Sequence, residues 1–290
     1  MRKLSDKKVV FFDMGNTLLY FHEFKNKERQ AEELGIEYLY QFLVSEYPSM
    51  TKDELIQGFI GPWRKCLLER KETLVEKPID ELLNAFLKNY DGYMSYPMCV
   101  NAFRMYYEPF MDLIEIKKDT YDVIKTLKDF GYTVAIVSNT PYFSEVMREC
   151  FEMYGLEECI DYYFFSYDIG TMKPKTDLFE YALTRLGVSA KECFMVGDSL
   201  IQDMAPSARL GMDCIWLNHK NEDNYLDVNL FKECHELSEI LSWLLEVEKG
   251  DSILLPEEVE EEDEEEYQLD ASSFLDEEDD FDPSLYLEED

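Results

Sequence analysis

The sequence predicts an α/β protein built on a doubly wound parallel sheet, and three observations carry that prediction. Short apolar runs, each closed by a polar residue, recur along the chain. Amphipathic stretches with glycine stops lie between them. One long stretch, residues 22–112, breaks the alternation with helical spacing alone. Residues 8–12, KVVFF, end in Asp13 and read as a buried parallel strand. Thr133 to Val137 repeat the pattern before Ser138, and Cys193 to Val196 repeat it before Gly197-Asp198. Tyr162 to Phe165 and Cys214 to Leu217 are weaker versions. Helices are expected over 119–130, 142–154 and 176–186, stopped by Gly131, Gly155 and Gly187. In such sheets the ligand lies beyond the carboxyl ends of the strands, where Asp13, Ser138 and Asp198 stand.

Residues 22–112 are rich in Glu, Lys, Leu, Tyr and Phe at helical spacing, with Pro48, Gly58, Gly61-Pro62, Gly92 and Pro97 as expected breakers. This is a helical insertion after the first strand. From Pro256 the composition turns to an acidic run, Glu257 to Glu266, which cannot bury enough apolar surface to fold alone. The expected organisation is therefore a core of residues 1–21 and 113–250, a helical unit of residues 22–112, and a disordered acidic tail of residues 251–290.

Charge narrows the partners. The chain of 290 residues carries 63 acids against 28 bases, a net −35. With −19 in residues 256–290, −16 remains for the rest, so both parts are acidic. Such a field repels nucleic acid and anionic membranes. Tyr267, Leu269, Phe274, Leu275, Phe281 and Tyr286, spaced among the tail acids, suit docking on a basic protein partner. The seven cysteines form no CxxC pair and mostly sit in apolar surroundings, as reduced thiols in the cytoplasm do. Three distant histidines offer little to zinc. Met1-Arg2-Lys3 is followed by too short an apolar run for a signal peptide or a membrane span.

Four separated pieces carry the chemistry: Asp13-Met14-Gly15-Asn16-Thr17-Leu18, Ser138-Asn139, Lys173-Pro174, and Gly197-Asp198-Ser199 with Asp203. Each alone is an ordinary turn, loop or helix cap. In this order, at strand ends, with a large insertion after the first, they resemble the haloacid dehalogenase-like (HAD) hydrolase superfamily, in its phosphatase branch with a helical, C1-type cap. The resemblance spans residues 7–248 and implies a Rossmann-like core, with residues 22–112 as the cap.

A carboxylate at a strand end can attack phosphorus and split one hard step into two through an aspartyl phosphate, the role expected of Asp13. Attack by an anion on an anion needs a cation, and Mg²⁺ takes oxygen ligands. The resemblance implies that Asp13, the Gly15 carbonyl and Asp198 hold Mg²⁺, with Asp203 as an outer partner that also steadies Lys173. It implies that Ser138 and Asn139 bind the phosphate of a small substrate and that Lys173 neutralises charge developing in transfer. Phosphatases of this family usually carry a second Asp two residues after the nucleophile as acid–base group, and Gly15 stands there instead. That group is typically worth about 10²–10⁴ in rate. His22 or Glu23 is the nearest substitute. Alternatively the substrate has a good leaving group, as in a sugar 1-phosphate or acyl phosphate, or the chain is slow or inactive.

The insertion is expected to set substrate choice. Trp63, Arg64 and Lys65 follow the Gly61-Pro62 break as candidates to face the site, with Arg70, Lys71 and Arg104 as further cations. Any one of these cations reads more readily as part of a solvated helix face. Phe103 to Phe110 reads as core or hinge. A dehalogenase would attack carbon without Mg²⁺ and would leave two acids in the fourth piece superfluous. A phosphonatase also lacks the second Asp but needs a cap lysine for a Schiff base, and none stands out. A binding protein that works through its tail has no evident use for the full phosphate and metal set.

Overall fold

In a computed structural model of the protein, residues 7–21, 25–117 and 119–242 are described. The chain opens with β1 (Val9–Phe12) and β2 (Leu19–Phe21), then turns helical: α1 (Lys25–Glu46), α2 (Lys52–Leu55), α3 (Gly61–Thr73), α4 (Ile79–Leu87) and α5 (Tyr96–Met111). It returns through β3 (Ile114–Ile116) to α6 (Thr120–Asp129), β4 (Thr133–Ser138), α7 (Ser144–Glu152), β5 (Tyr162–Phe165), α8 (Ser166–Ile169) and α9 (Asp177–Leu186). It closes with β6 (Cys193–Gly197), α10 (Ala205–Arg209), β7 (Asp213–Leu217) and β8 (Lys232–Cys234).

Six strands form one parallel sheet in the order β5-β4-β1-β6-β7-β8. The five strands expected from the apolar runs are all in it. The eighth strand, and the antiparallel pair of β2 with β3, were not anticipated. Side chains alternate across the sheet. Val10 and Phe12 pack with Val123, Ile124 and Met147 on one side, while Val9 and Phe11 pack with Leu178, Phe179 and Leu200 on the other. Both faces are covered, so the strands read as continuous apolar runs rather than alternating ones.

Register fixes where the polar strand ends meet. Val9 lies opposite Thr133 on β4 and Cys193 on β6, and Phe12 lies opposite Ile136 and Val196. Asp13, Ser138 and Asp198 therefore leave the sheet side by side.

The stretch between β2 and β3 is helical, but two of its expected breakers do not break it. The backbone runs from α2 through one wide turn, Ile56–Ile60, straight into α3. In that turn the Gly61 amide reaches back five residues to the Ile56 carbonyl. Pro62 lacks a donor and would crowd a regular helix, and the widened turn just before it lets the helix continue. Gly58 serves packing rather than a bend, since a Cβ there would fall 2.6 Å from the Phe86 ring. Pro48 does separate α1 from α2, which starts on a capping box of Thr51 and Glu54.

All seven cysteines are free thiols, as expected of a chain without a disulfide framework. Among the described residues no helix is long and apolar enough to cross a membrane. The acidic tail, residues 251–290, lies outside the described residues.

Candidate active site

Asp13 follows β1 directly, its amide bonded to the Val196 carbonyl at 2.9 Å. The chain then folds back. Asn16 adopts φ +51°, a left-handed conformation that Asn tolerates, and its amide donates to the Leu19 carbonyl at 2.8 Å. This tight turn presents the backbone of Met14 and Gly15 beside the Asp13 carboxylate.

Ser138 Oγ donates to Asp13 Oδ1 at 2.9 Å, and Lys173 Nζ donates to the same oxygen at 2.6 Å. Lys173 is 2% exposed. Its other two ammonium protons go to Asp203 Oδ1 at 2.5 Å and the Val137 carbonyl at 3.1 Å, so all three donors are used. Asn139 does not point at this cluster. Its side-chain amide grips the Lys173 backbone from both sides, accepting from the Lys173 amide at 2.8 Å and donating to the Lys173 carbonyl at 3.0 Å.

Asp203 sits on a second wide helical turn, Leu200–Met204, whose start is capped by Ser199 Oγ accepting from the Gln202 amide. Its Oδ2 accepts from the Ser199 amide at 3.2 Å. Gly197 makes room for it, because a Cβ there would lie 2.3 Å from Asp203 Oδ2. Asp198 is less buried, its carbonyl held by Trp216 Nε1 at 2.8 Å.

Carboxylate oxygens of Asp13, Asp198 and Asp203 all lie within 4.8 Å of one another. Asp13 and Asp203 share one ammonium, so negative charge is in excess, and the Asp198 carboxylate stands beside them. Burial pushes the Asp203 carboxyl above its ordinary range, with Lys173 opposing. Burial works against the Lys173 ammonium as well, but Asp13 and Asp203 outweigh it and raise its pKa.

These groups open on a cavity of about 850 Å³ that also reaches Tyr20, Arg70, Tyr107, Tyr142 and His219. Of the insertion's cations named from the sequence, only Arg70 lines it. Trp63 is 2% exposed and packs among Phe59, Phe103, Tyr106 and Tyr142. It is core, not a substrate contact, because an indole on the inner face of α3 buries more apolar area than a cleft would allow. Arg64 pairs with the buried Glu32 at 2.9 Å, Lys65 is exposed beside Glu69, and Arg104 pairs with Glu149. Lys71 is half-buried and does not line the cavity. His22 and Glu23 lie outside the described residues.

Sequence reasoning missed the mouth of the cavity. His219 Nε2 lies 3.1 Å from the Asn16 carbonyl and 3.1 Å from the Tyr20 hydroxyl, while its Nδ1 lies 2.8 Å from the His235 carbonyl. Lys117 Nζ stands 3.3 Å from Nδ1 and over the Tyr20 ring. Part of the signal was present: His219 stands two residues past the end of β7 at Leu217, so the strand-end rule extended to the loop after β7 reaches it.

Fold and strand-end cluster together define the class. The haloacid dehalogenase-like hydrolase family model matches residues 7–211, and the chain belongs to that family. It is 35% identical over 108 residues to an uncharacterized hydrolase of Schizosaccharomyces pombe, a match covering 32% of this chain and only 46% of that relative's length. It is 25% identical over 245 residues to the glyceraldehyde 3-phosphate phosphatase of Methanothermobacter thermautotrophicus, covering 81% of this chain and 99% of that protein. Among solved structures, the HAD-hydrolase YfnB from Bacillus subtilis bound to magnesium superposes with a TM-score of 0.52 at 23% identity, covering 82% of this chain and 98% of the other.

Proposed function

We propose that the protein is a Mg²⁺-dependent phosphatase that hydrolyses a small phosphomonoester through an aspartyl phosphate on Asp13. One observation carries this reading: Asp13 shares Lys173 with Asp203 and lies within a three-carboxylate cluster. In this proposal residues 22–112 act as the cap over the core, and the cavity beneath them receives the substrate.

In this reading Oδ2 attacks phosphorus, since the bonds from Ser138 and Lys173 both fall on Asp13 Oδ1. The new Oδ2–P bond forms as the bond from phosphorus to the substrate oxygen breaks. Water then attacks the acyl phosphate, freeing phosphate and restoring the carboxylate. Lys173, held by three acceptors and unable to swing freely, offers a fixed positive charge beside the reacting group. Ser138 orients the carboxylate, and Asn139 acts one step back by holding the backbone of Lys173.

The donor set fits Mg²⁺. Carboxylate oxygens and a backbone carbonyl are the hard ligands it takes, and an excess of negative charge in a largely buried cluster calls for a cation. Asp13, the Gly15 carbonyl and Asp198 would hold it, with Asp203 as an outer partner. The ion would supply charge neutralisation for an anionic nucleophile meeting an anionic substrate.

Gly15 supplies no proton to the leaving oxygen, so substrates with good leaving groups, such as sugar 1-phosphates and acyl phosphates, are expected to turn over fastest. The phosphatase name of the Methanothermobacter relative supports phosphate chemistry as a class. A domain that binds without turnover is the second reading, favoured by Gly15 alone. Inorganic phosphate release across sugar, nucleotide and acyl phosphates, with and without Mg²⁺ and against Asp13→Asn, separates the two. Metal-dependent release absent from the variant supports the phosphatase. No release above the variant on any ester supports binding alone.

A further inference from the structure

The end of α3 is fastened to the loops that carry Lys173 and Ser138, and one buried carboxylate ties the junction. Leu74 closes α3 at φ +53°, a left-handed conformation costly for a branched side chain, and the chain there turns onto the 170–172 loop. The Glu76 amide donates to the Gly170 carbonyl at 3.1 Å and the Met172 amide to the Leu74 carbonyl at 3.3 Å, an antiparallel bridge centred on Val75 and Thr171. Lys175 Nζ adds a bond to the Leu74 carbonyl at 3.2 Å. Lys173 sits between Met172 and Lys175.

Glu76 is 4% exposed. Its Oε1 accepts from Arg70 Nη2 at 2.5 Å and from Ser166 Oγ at 2.6 Å. Ser166 Oγ in turn accepts from the Thr140 amide at 2.8 Å. Thr140 is two residues past Ser138. The Glu76 carboxylate thus connects a residue lining the cavity, Arg70, through Ser166 to the loop that brings Ser138 to Asp13, while the backbone of Leu74 and Glu76 holds the loop that leads into Lys173.

We propose that Glu76 is a positioning residue: through Ser166 and the Leu74–Glu76 bridge it holds the Lys173 and Ser138 loops in register, so that the site is complete only while the α3 end is docked. The effect on catalysis rests on the phosphatase reading above; the tether itself does not. A carboxylate buried between a guanidinium and a hydroxyl makes charge-assisted bonds of the stronger kind, and leaving those partners without it penalises the docked state.

The full chain carrying Glu76→Ala, with Glu76→Gln as the conservative control, tests this by hydrogen exchange and steady-state kinetics on the best phosphate ester. Glu76→Ala should speed exchange at the Thr140 and Met172 amides about tenfold or more, with kcat falling by a similar factor and KM changing far less. Glu76→Gln keeps an acceptor at Oε1 and should restore most of both. Unchanged exchange at these amides in Glu76→Ala overturns the tether. Faster exchange with unchanged kcat overturns the positioning role. Faster exchange in a protein whose wild type hydrolyses no phosphate ester upholds the tether and overturns the phosphatase reading instead. If Glu76→Ala does not fold, Ser166→Ala decides by the same readouts, with the largest change expected at the Thr140 amide.

Discussion

The cluster at the strand ends and the ring cluster of the helical segment are both buried, but they are built on opposite terms. At the strand ends the side chains of Asp13, Asp203 and Lys173 meet from separate parts of the chain, with all three donors of Lys173 committed. In the helical segment Phe59, Trp63, Phe103 and Tyr106 meet ring to ring at 5.2–6.0 Å, joined by Tyr142 from the loop after β4. The first depends on each group being present with its charge. The second depends on volume and area, which many apolar side chains can supply in part. Removing one member should therefore abolish the function of the first and only loosen the second.

Lys173→Met should show the contrast most strongly. It leaves two buried carboxylates facing each other without their ammonium, and breaking such a pair costs about 3–5 kcal/mol. Phosphate release should fall by about 10²–10³ or more, and urea denaturation read beside it gives the stability loss. Trp63→Ala should cost a similar amount, about 3–5 kcal/mol, by cavity formation in the ring cluster. Turnover per folded molecule should change less than about tenfold, because no ring there touches the reacting groups.

The two regions differ in how they could be read. Asp13, Ser138 and Asp198 were legible because parallel strands bury as continuous apolar runs, and the polar residue that ends a run marks a position on one edge of the sheet. Lys173 and Asp203 end no such run and were reached only through the family resemblance. The register of β1 with β4 and β6 then does the assembly. The β2–β3 pair was not legible: three residues at each end of the helical segment carry too little pattern to show. Gly58 and Gly61-Pro62 misled because breakers are read locally, whereas a widened turn accommodates the proline and the Phe86 ring fills the space Gly58 leaves. The bond from Ser166 to Glu76 joins residues 90 apart in sequence, and no periodicity announces it.

Metal addition sharpens the comparison from the other side. Mg²⁺ at a hundred times its dissociation constant should stabilise the fold by about 2.7 kcal/mol, because an ion held by the folded chain and not by the unfolded one shifts the equilibrium by mass action. Asp198→Asn should remove most of that shift, and Trp63→Ala should keep it, both read by thermal melts with and without the ion. Gly197→Ala is the smallest change in atoms. Its Cβ would overlap Asp203 Oδ2, so about 1–3 kcal/mol of stability should go, with loss of turnover as the Asp203 carboxylate moves off Lys173. Gly58→Ala, its counterpart in the helical segment, should be destabilising without that loss of turnover.

The central claim is that Asp13 takes the phosphoryl group, and trapping tests it most directly. Wild-type protein mixed with an acyl or sugar 1-phosphate and Mg²⁺, quenched in acid and digested, should yield the peptide containing Asp13 with a phosphoryl mass adduct. Asp13→Asn should yield none. Phosphate release by the wild type with no adduct at Asp13 at any quench time, and undiminished release by Asp13→Asn, would contradict the account.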